Sequence, residues 1–111
     1  MTAHLRALRA GLHAALRAHR AVTAPVVLVA SELTTNALRH GVPPAVVTLF
    51  RAGDGYLLDV ADGAVDAPPA LAGRRPLGQG GFGLYVAGRM TDAMGWYAEG
   101  DRKHVWALFG L

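Results

Sequence analysis

Glu32, Asn36 and His40 follow one another at four-residue steps, so on a helix they stand one turn apart on a single face. A carboxylate and a carboxamide placed in this way can polarise a hydroxyl or a water. They can also hold a hard cation through oxygen, with Mg2+ keeping its other ligands from water and phosphate. A second pair, Asp62-Gly63, ends a run of strand formers. An Asp there can accept from the exocyclic amine of adenine while the Gly lets a ring approach the backbone. The third stretch is Gly78-Gln79-Gly80-Gly81-Phe82-Gly83-Leu84, ahead of a segment with helical character. Small residues expose backbone N–H groups, and a helix start adds partial positive charge, so phosphate is favoured. Each stretch also has an ordinary reading, since surface helices carry Glu and Asn and a strand-ending Asp-Gly is a common turn. The glycine string spells G-x-G-x-x-G. A dinucleotide fold would need a strand immediately before it, whereas Arg74, Arg75 and Pro76 stand there, and no Lys-Ser or Lys-Thr pair follows as a Walker loop requires.

In their order and spacing the three stretches resemble the N box, G1 box and G2 box of the GHKL (histidine-kinase-like) ATP-binding fold. The run Val29-Ala-Ser-Glu-Leu-Thr-Thr-Asn-Ala-Leu-Arg-His-Gly41 looks like the N box of the anti-sigma-factor serine/threonine kinases in particular. Gly83-Leu84-Tyr85-Val86, Thr91-Asp92 and Lys103-His104-Val105-Trp106 resemble that family's closing segments. The resemblance implies an ATP- and Mg2+-dependent protein kinase that phosphorylates a serine of an antagonist protein and regulates a sigma factor. Asn36 would coordinate Mg2+ and Glu32 would be the general base. Asp62, with Gly63 beside the ring, would bind adenine, and Gly81, Gly83 and Leu84 would offer backbone to the phosphates. Partners would be ATP, a sigma factor and its antagonist, with no direct nucleic acid and no membrane, and a homodimer is compatible with it. A non-catalytic ATP- or sigma-binding module of the same fold is the alternative. The fuller D-x-G-x-G form of the G1 box is absent, because Asp62-Gly63-Ala64-Val65 stands there instead.

Those residues need elements to hold them. Leu5, Leu8, Leu12, Ala15 and Leu16 recur at helical spacing, with Arg6, Arg9, His13, Arg17 and Arg20 on the other side. Thr23 as N-cap, with Pro25 in the first turn, predicts a second helix to about Arg39, ended by Gly41, Pro43 and Pro44. Its apolar stripe is Val26, Val27, Ala30, Leu33, Ala37 and Leu38. Ala45 to Arg51 and Tyr56 to Asp62 read as strands joined by Gly53-Asp54-Gly55. Residues 63–82 hold too many Gly and Pro for a regular element and are expected to form an ATP lid. Gly83 to Met90 is expected to be a third helix. Met94 to Ala98 and Lys103 to Phe109 read as a final hairpin, with Met90 and Met94 in the core. The order predicts one α+β domain over residues 1–111, a two-layer sandwich of three helices on a mainly antiparallel sheet of about four strands. The family's usual first strand has no counterpart ahead of the first helix. That predicts a sheet edge that a partner could cover.

Composition limits the alternatives. A chain of 111 residues, 52% hydrophobic, suits one core, and the absence of Cys excludes disulfides and Cys-based zinc sites. The aliphatic run Val26 to Ala30 is too short to span a bilayer and no secretory start precedes it, so a cytoplasmic protein is expected. All eight acidic residues lie at or beyond Glu32, leaving Arg6, Arg9, Arg17 and Arg20 unopposed in the first helical region. This stripe suits an acidic partner or a solvated helix face. It also keeps open a basic nucleic-acid-binding domain, although no aromatic side chain is interleaved for stacking. A sensor histidine kinase would need a dimerisation domain for which this length leaves no room.

Overall fold

The computed structural model describes residues 2–65 and 89–111, and six elements follow in chain order. They are α1 (Thr2–Ala15), α2 (Arg20–His40), β1 (Val46–Ala52), β2 (Gly55–Asp62), β3 (Ala93–Glu99) and β4 (Arg102–Phe109). The strands form one antiparallel sheet in the order β1-β2-β4-β3. Two sequence-local hairpins therefore supply the outer pairings, and β2 against β4 joins them. Each hairpin turns on two residues, Gly53-Asp54 and Gly100-Asp101. The glycine, at φ +56° and +61° respectively, takes the first central position, where the turn needs a positive φ.

Alternation then decides which side chains meet the helices. In β4, Lys103, Val105, Ala107 and Phe109 point inward and are buried, while Arg102, His104, Trp106 and Leu108 point to the other face. The inward set pairs across β2 with Asp62, Val60, Leu58 and Tyr56. Onto this surface α2 lays Val22, Val26, Val29, Ala30, Leu33 and Ala37, and α1 packs on α2 through Leu12. Leu16, in the turn after α1, is fully enclosed in the same core. An Arg9 Nε–H bond to Ser31 Oγ (3.0 Å) ties the two helices. By length and apolarity alone α2 would also suffice to cross a membrane, but the same side chains form this core.

The α+β architecture and the four antiparallel strands agree with expectation, and each strand lies within one residue of its predicted ends. Three points differ. The described residues hold two helices, not three: the expected third helix falls on 83–88, outside them, and its last two residues, Arg89 and Met90, form a turn. Met90 is exposed, not in the core. α2 begins at Arg20, with Thr23 inside it. The Thr23 hydroxyl donates back to the His19 carbonyl oxygen (3.3 Å), the i−4 bond open to a Thr within a helix, so it does not act as N-cap. Pro25 falls one turn in, and lacking an N–H it has no bond to give to Ala21.

The other face of the sheet carries no helix among the described residues. Phe50, Leu57, Asp59, Tyr97, His104 and Trp106 line a shallow depression there of about 570 Å³. Tyr97 stacks on His104 at 4.7 Å between ring centroids, and His104 Nδ1 lies 2.9 Å from Asp59 Oδ2.

Candidate functional site

The C-terminal end of α2 and the end of β2 converge. α2 closes at Gly41, whose N–H donates to the Ala37 carbonyl oxygen (2.8 Å). The chain continues to Val42, whose carbonyl oxygen accepts from the Gly63 N–H (2.7 Å), so the helix exit is bonded to the residue after β2. Arg102 reinforces the junction by donating to the carbonyl oxygens of Pro44 (2.7 Å) and Ala61 (3.1 Å). Gly41 is what allows the approach. A Cβ there would lie 2.6 Å from the Asp62 carboxylate carbon and 2.5 Å from the Ala37 oxygen, so any side chain would displace Asp62.

Asp62 is buried at 2% exposure, the inward end residue of β2. Its Oδ1 accepts from the Ala64 N–H at 2.7 Å, which fixes the carboxylate plane. Its Oδ2 lies 3.7 Å from Nζ of Lys103, its register partner on β4, which is itself buried. Two opposite charges taken out of water together cost far less than either alone, which is why both can sit there.

Glu32 and Asn36 lie on α2, half-buried and one turn apart. Among the described residues neither side chain has a hydrogen-bonding or ionic partner. At a rise of roughly 1.5 Å per residue, Glu32 stands about 13 Å along the axis from Gly41, with Asn36 between them. A carboxylate and a carboxamide thus stand on the helix whose C-terminal end abuts the buried carboxylate of β2. No three His, Asp or Glu gather to hold a metal among the described residues. A cation here would take one oxygen from Asn36 and complete its shell from phosphate and water, as Mg2+ does. The residues present therefore fit a Mg2+-nucleotide.

Gly63, next to Asp62 in the chain, is held by its bond to Val42. Gly81, Gly83 and Leu84 lie outside the described residues, as does the expected lid beyond Val65. Two residues of this region were not singled out from the sequence as site residues. Lys103 was legible in principle, because a lysine in phase with Val105, Ala107 and Phe109 breaks an otherwise apolar alternation. Thr34, buried on α2 with its hydroxyl unbonded among the described residues, left no such signal.

No curated protein matches the chain significantly. The family model for the histidine kinase-like ATPase domain matches residues 1–109, nearly the whole sequence. That match spans both the Glu32–Asn36 helix and the Asp62 junction. Together with the helix-on-antiparallel-sheet architecture, it means that this chain belongs to the histidine kinase-like ATPase domain family.

Proposed function

We propose that the protein is an ATP-binding serine/threonine protein kinase of the anti-sigma-factor type, which phosphorylates an antagonist protein and so regulates a sigma factor. The observation that carries the nucleotide part is the junction at Gly41. It brings a buried carboxylate to one end of a helix that presents, further along, a carboxamide and a carboxylate without partners among the described residues. ATP with Mg2+ would supply the phosphoryl group and offset the charge that develops on it. Asp62 accepts from the adenine amine, and Gly63 gives the ring room. Asn36 holds the cation through its side-chain oxygen. Gly81, Gly83 and Leu84 offer backbone N–H groups to the phosphates. Glu32, without a partner among the described residues, takes the proton from the attacking serine hydroxyl, for which it must come within hydrogen-bond reach. The kinase specificity and the sigma-factor and antagonist partners are supported by the N-box run from Val29 to Gly41.

Calorimetric titration of ATP with and without Mg2+ tests the site, using wild type, Asn36→Ala and Asp62→Asn. Mg2+-dependent binding weakened by both substitutions is expected, and no binding to the wild type would overturn the reading. Transfer of labelled phosphate to a candidate antagonist separates the two rival functions. A kinase loses transfer in Glu32→Ala while still binding ATP, whereas a regulatory module binds without turnover in every variant.

A further inference from the structure

The corner between α1 and α2, at the far end of α2 from the Asp62 junction, holds a groove of about 570 Å³ lined by His13, Ala14, Arg17, Arg20, Thr23 and Ala24. Arg17 lies in the turn after α1 and Arg20 opens α2. Both are exposed, as is His13, and among the described residues none of the three side chains makes a hydrogen bond or an ion pair. The Thr23 hydroxyl is engaged by the carbonyl oxygens of Leu16 (3.4 Å) and His19 (3.3 Å). No acid lines the groove, and the first acidic residue of the chain is Glu32, further along α2. All the formal charge at this corner is therefore of one sign.

Stability does not account for the clustering. A helix start carries partial positive charge, so Asp or Glu is favoured in its first turn and Ser, Thr, Asp or Asn at its cap. α2 has neither, because its first turn holds no acid and His19 makes no side-chain cap bond, while Arg20 sets a guanidinium against the dipole. Surface charges are ordinarily of mixed sign, and a single-sign field draws in its opposite. We propose that this groove docks an acidic segment of a partner protein, its carboxylates meeting Arg17, Arg20 and His13 across the small side chains of Ala14 and Ala24. Carboxylates accept without donating, which suits guanidinium groups that only donate. A duplex fits less well. Its phosphates follow one another at about 1.7 Å along the axis and call for cations that track them, whereas these gather at one corner with no Phe, Tyr or Trp among them for stacking on a base. The groove is also remote from the nucleotide reading of the other end, since Arg20 and Asn36 stand about 24 Å apart along the α2 axis.

The probe is a fluorescein-labelled alanine-based peptide with glutamate at every fourth position, its glutamine counterpart being the control, followed by fluorescence anisotropy at low salt. The wild type is expected to bind the glutamate peptide and not the glutamine one, with NMR amide shifts centred on residues 13–24. Arg17→Glu combined with Arg20→Glu should weaken that binding about tenfold or more, and the variant should instead take the lysine form of the peptide. The same variant should melt at a higher temperature, because a carboxylate at the start of α2 is favoured by the dipole. Arginines with a purely structural role would give the reverse, a lower melting temperature with peptide binding unchanged. Absence of binding by the wild type, equal binding of the glutamate and glutamine peptides, or shifts elsewhere on the chain would overturn the inference, and these readouts need no variant to fold. A DNA duplex that bound residues 13–24 in preference to the glutamate peptide would overturn it too. Failure of ATP to bind bears on the nucleotide reading alone.

Discussion

Two side chains outside the Asp62–Lys103 pair have measurable consequences. Thr34 is 7% exposed and its hydroxyl finds no partner among the described residues, so it bears the cost of desolvation without a compensating bond from them. Thr34→Val keeps the shape and removes the unsatisfied group, and is expected to raise unfolding free energy by about 1 kcal/mol in urea titration. A comparable loss would show that the hydroxyl bonds to something in solution. On the open sheet face the Tyr97 phenol is held above its ordinary range, first by desolvation against the sheet, then by the negative charges of Asp59 and Glu99. Ultraviolet titration should therefore place Tyr97 later than a free tyrosine, and Asp59→Asn should draw it part of the way back. Folding favours the protonated phenol. Its contribution is therefore fully present below the unfolded phenol's pKa and is lost as pH rises through the raised folded value.

Among the elements, the junction of α2 with β2 depends on a missing side chain. Gly41→Val forces atoms into the space of the Asp62 carboxylate, and an overpacking cost of about 1–3 kcal/mol is expected in chemical denaturation. Loss of Mg2+-nucleotide affinity should accompany it, since Asp62 must move; an unaltered affinity would mean that the carboxylate position is not what binds. The hairpins were legible from sequence because Gly53 and Gly100 mark turns between β-branched and aromatic runs, a local signal that needs no knowledge of the rest. The start of α2 was not, because Thr23 and Pro25 imitate a helix start so well that the turn before them, from Arg20, was hidden. Asp62 was legible by type and place. What stayed hidden was its environment: burial at 2% and a lysine opposite it depend on the register of two strands that are some forty residues apart, and no local pattern encodes register. The backbone expected to hold the phosphates, at Gly81, Gly83 and Leu84, lies outside the described residues.

For the molecule as a whole, binding and stability are one equilibrium. A ligand that binds only the folded chain stabilises it by about 2.7 kcal/mol at a hundredfold excess over its dissociation constant. In a domain of this size that is a rise in melting temperature on the order of 10 °C. Differential scanning fluorimetry with Mg2+-ATP should show such a rise for the wild type and a smaller one for Asn36→Ala. An identical rise for both would remove Asn36 from the site. The basic stripe of Arg6, Arg17 and Arg20 lies on the exposed side of the helical layer, so salt should leave this nucleotide effect largely intact while weakening any acidic partner bound there.

The strand order has one more consequence. Every pairing except that of β2 with β4 lies within a hairpin, and α1 and α2 belong to the same stretch of chain as β1 and β2. A polypeptide severed between Val65 and Arg89 would leave a larger piece with α1, α2 and half the sheet, and a smaller piece whose described residues form the β3–β4 hairpin. Between the described residues the main seam would be that of β2 with β4, with Tyr56, Leu58 and Val60 on one side and Phe109, Ala107 and Val105 on the other. Asp62 would fall on the first piece and Lys103 on the second. Fragment complementation would then reunite the Asp62–Lys103 pair of the proposed nucleotide site when the seam closes.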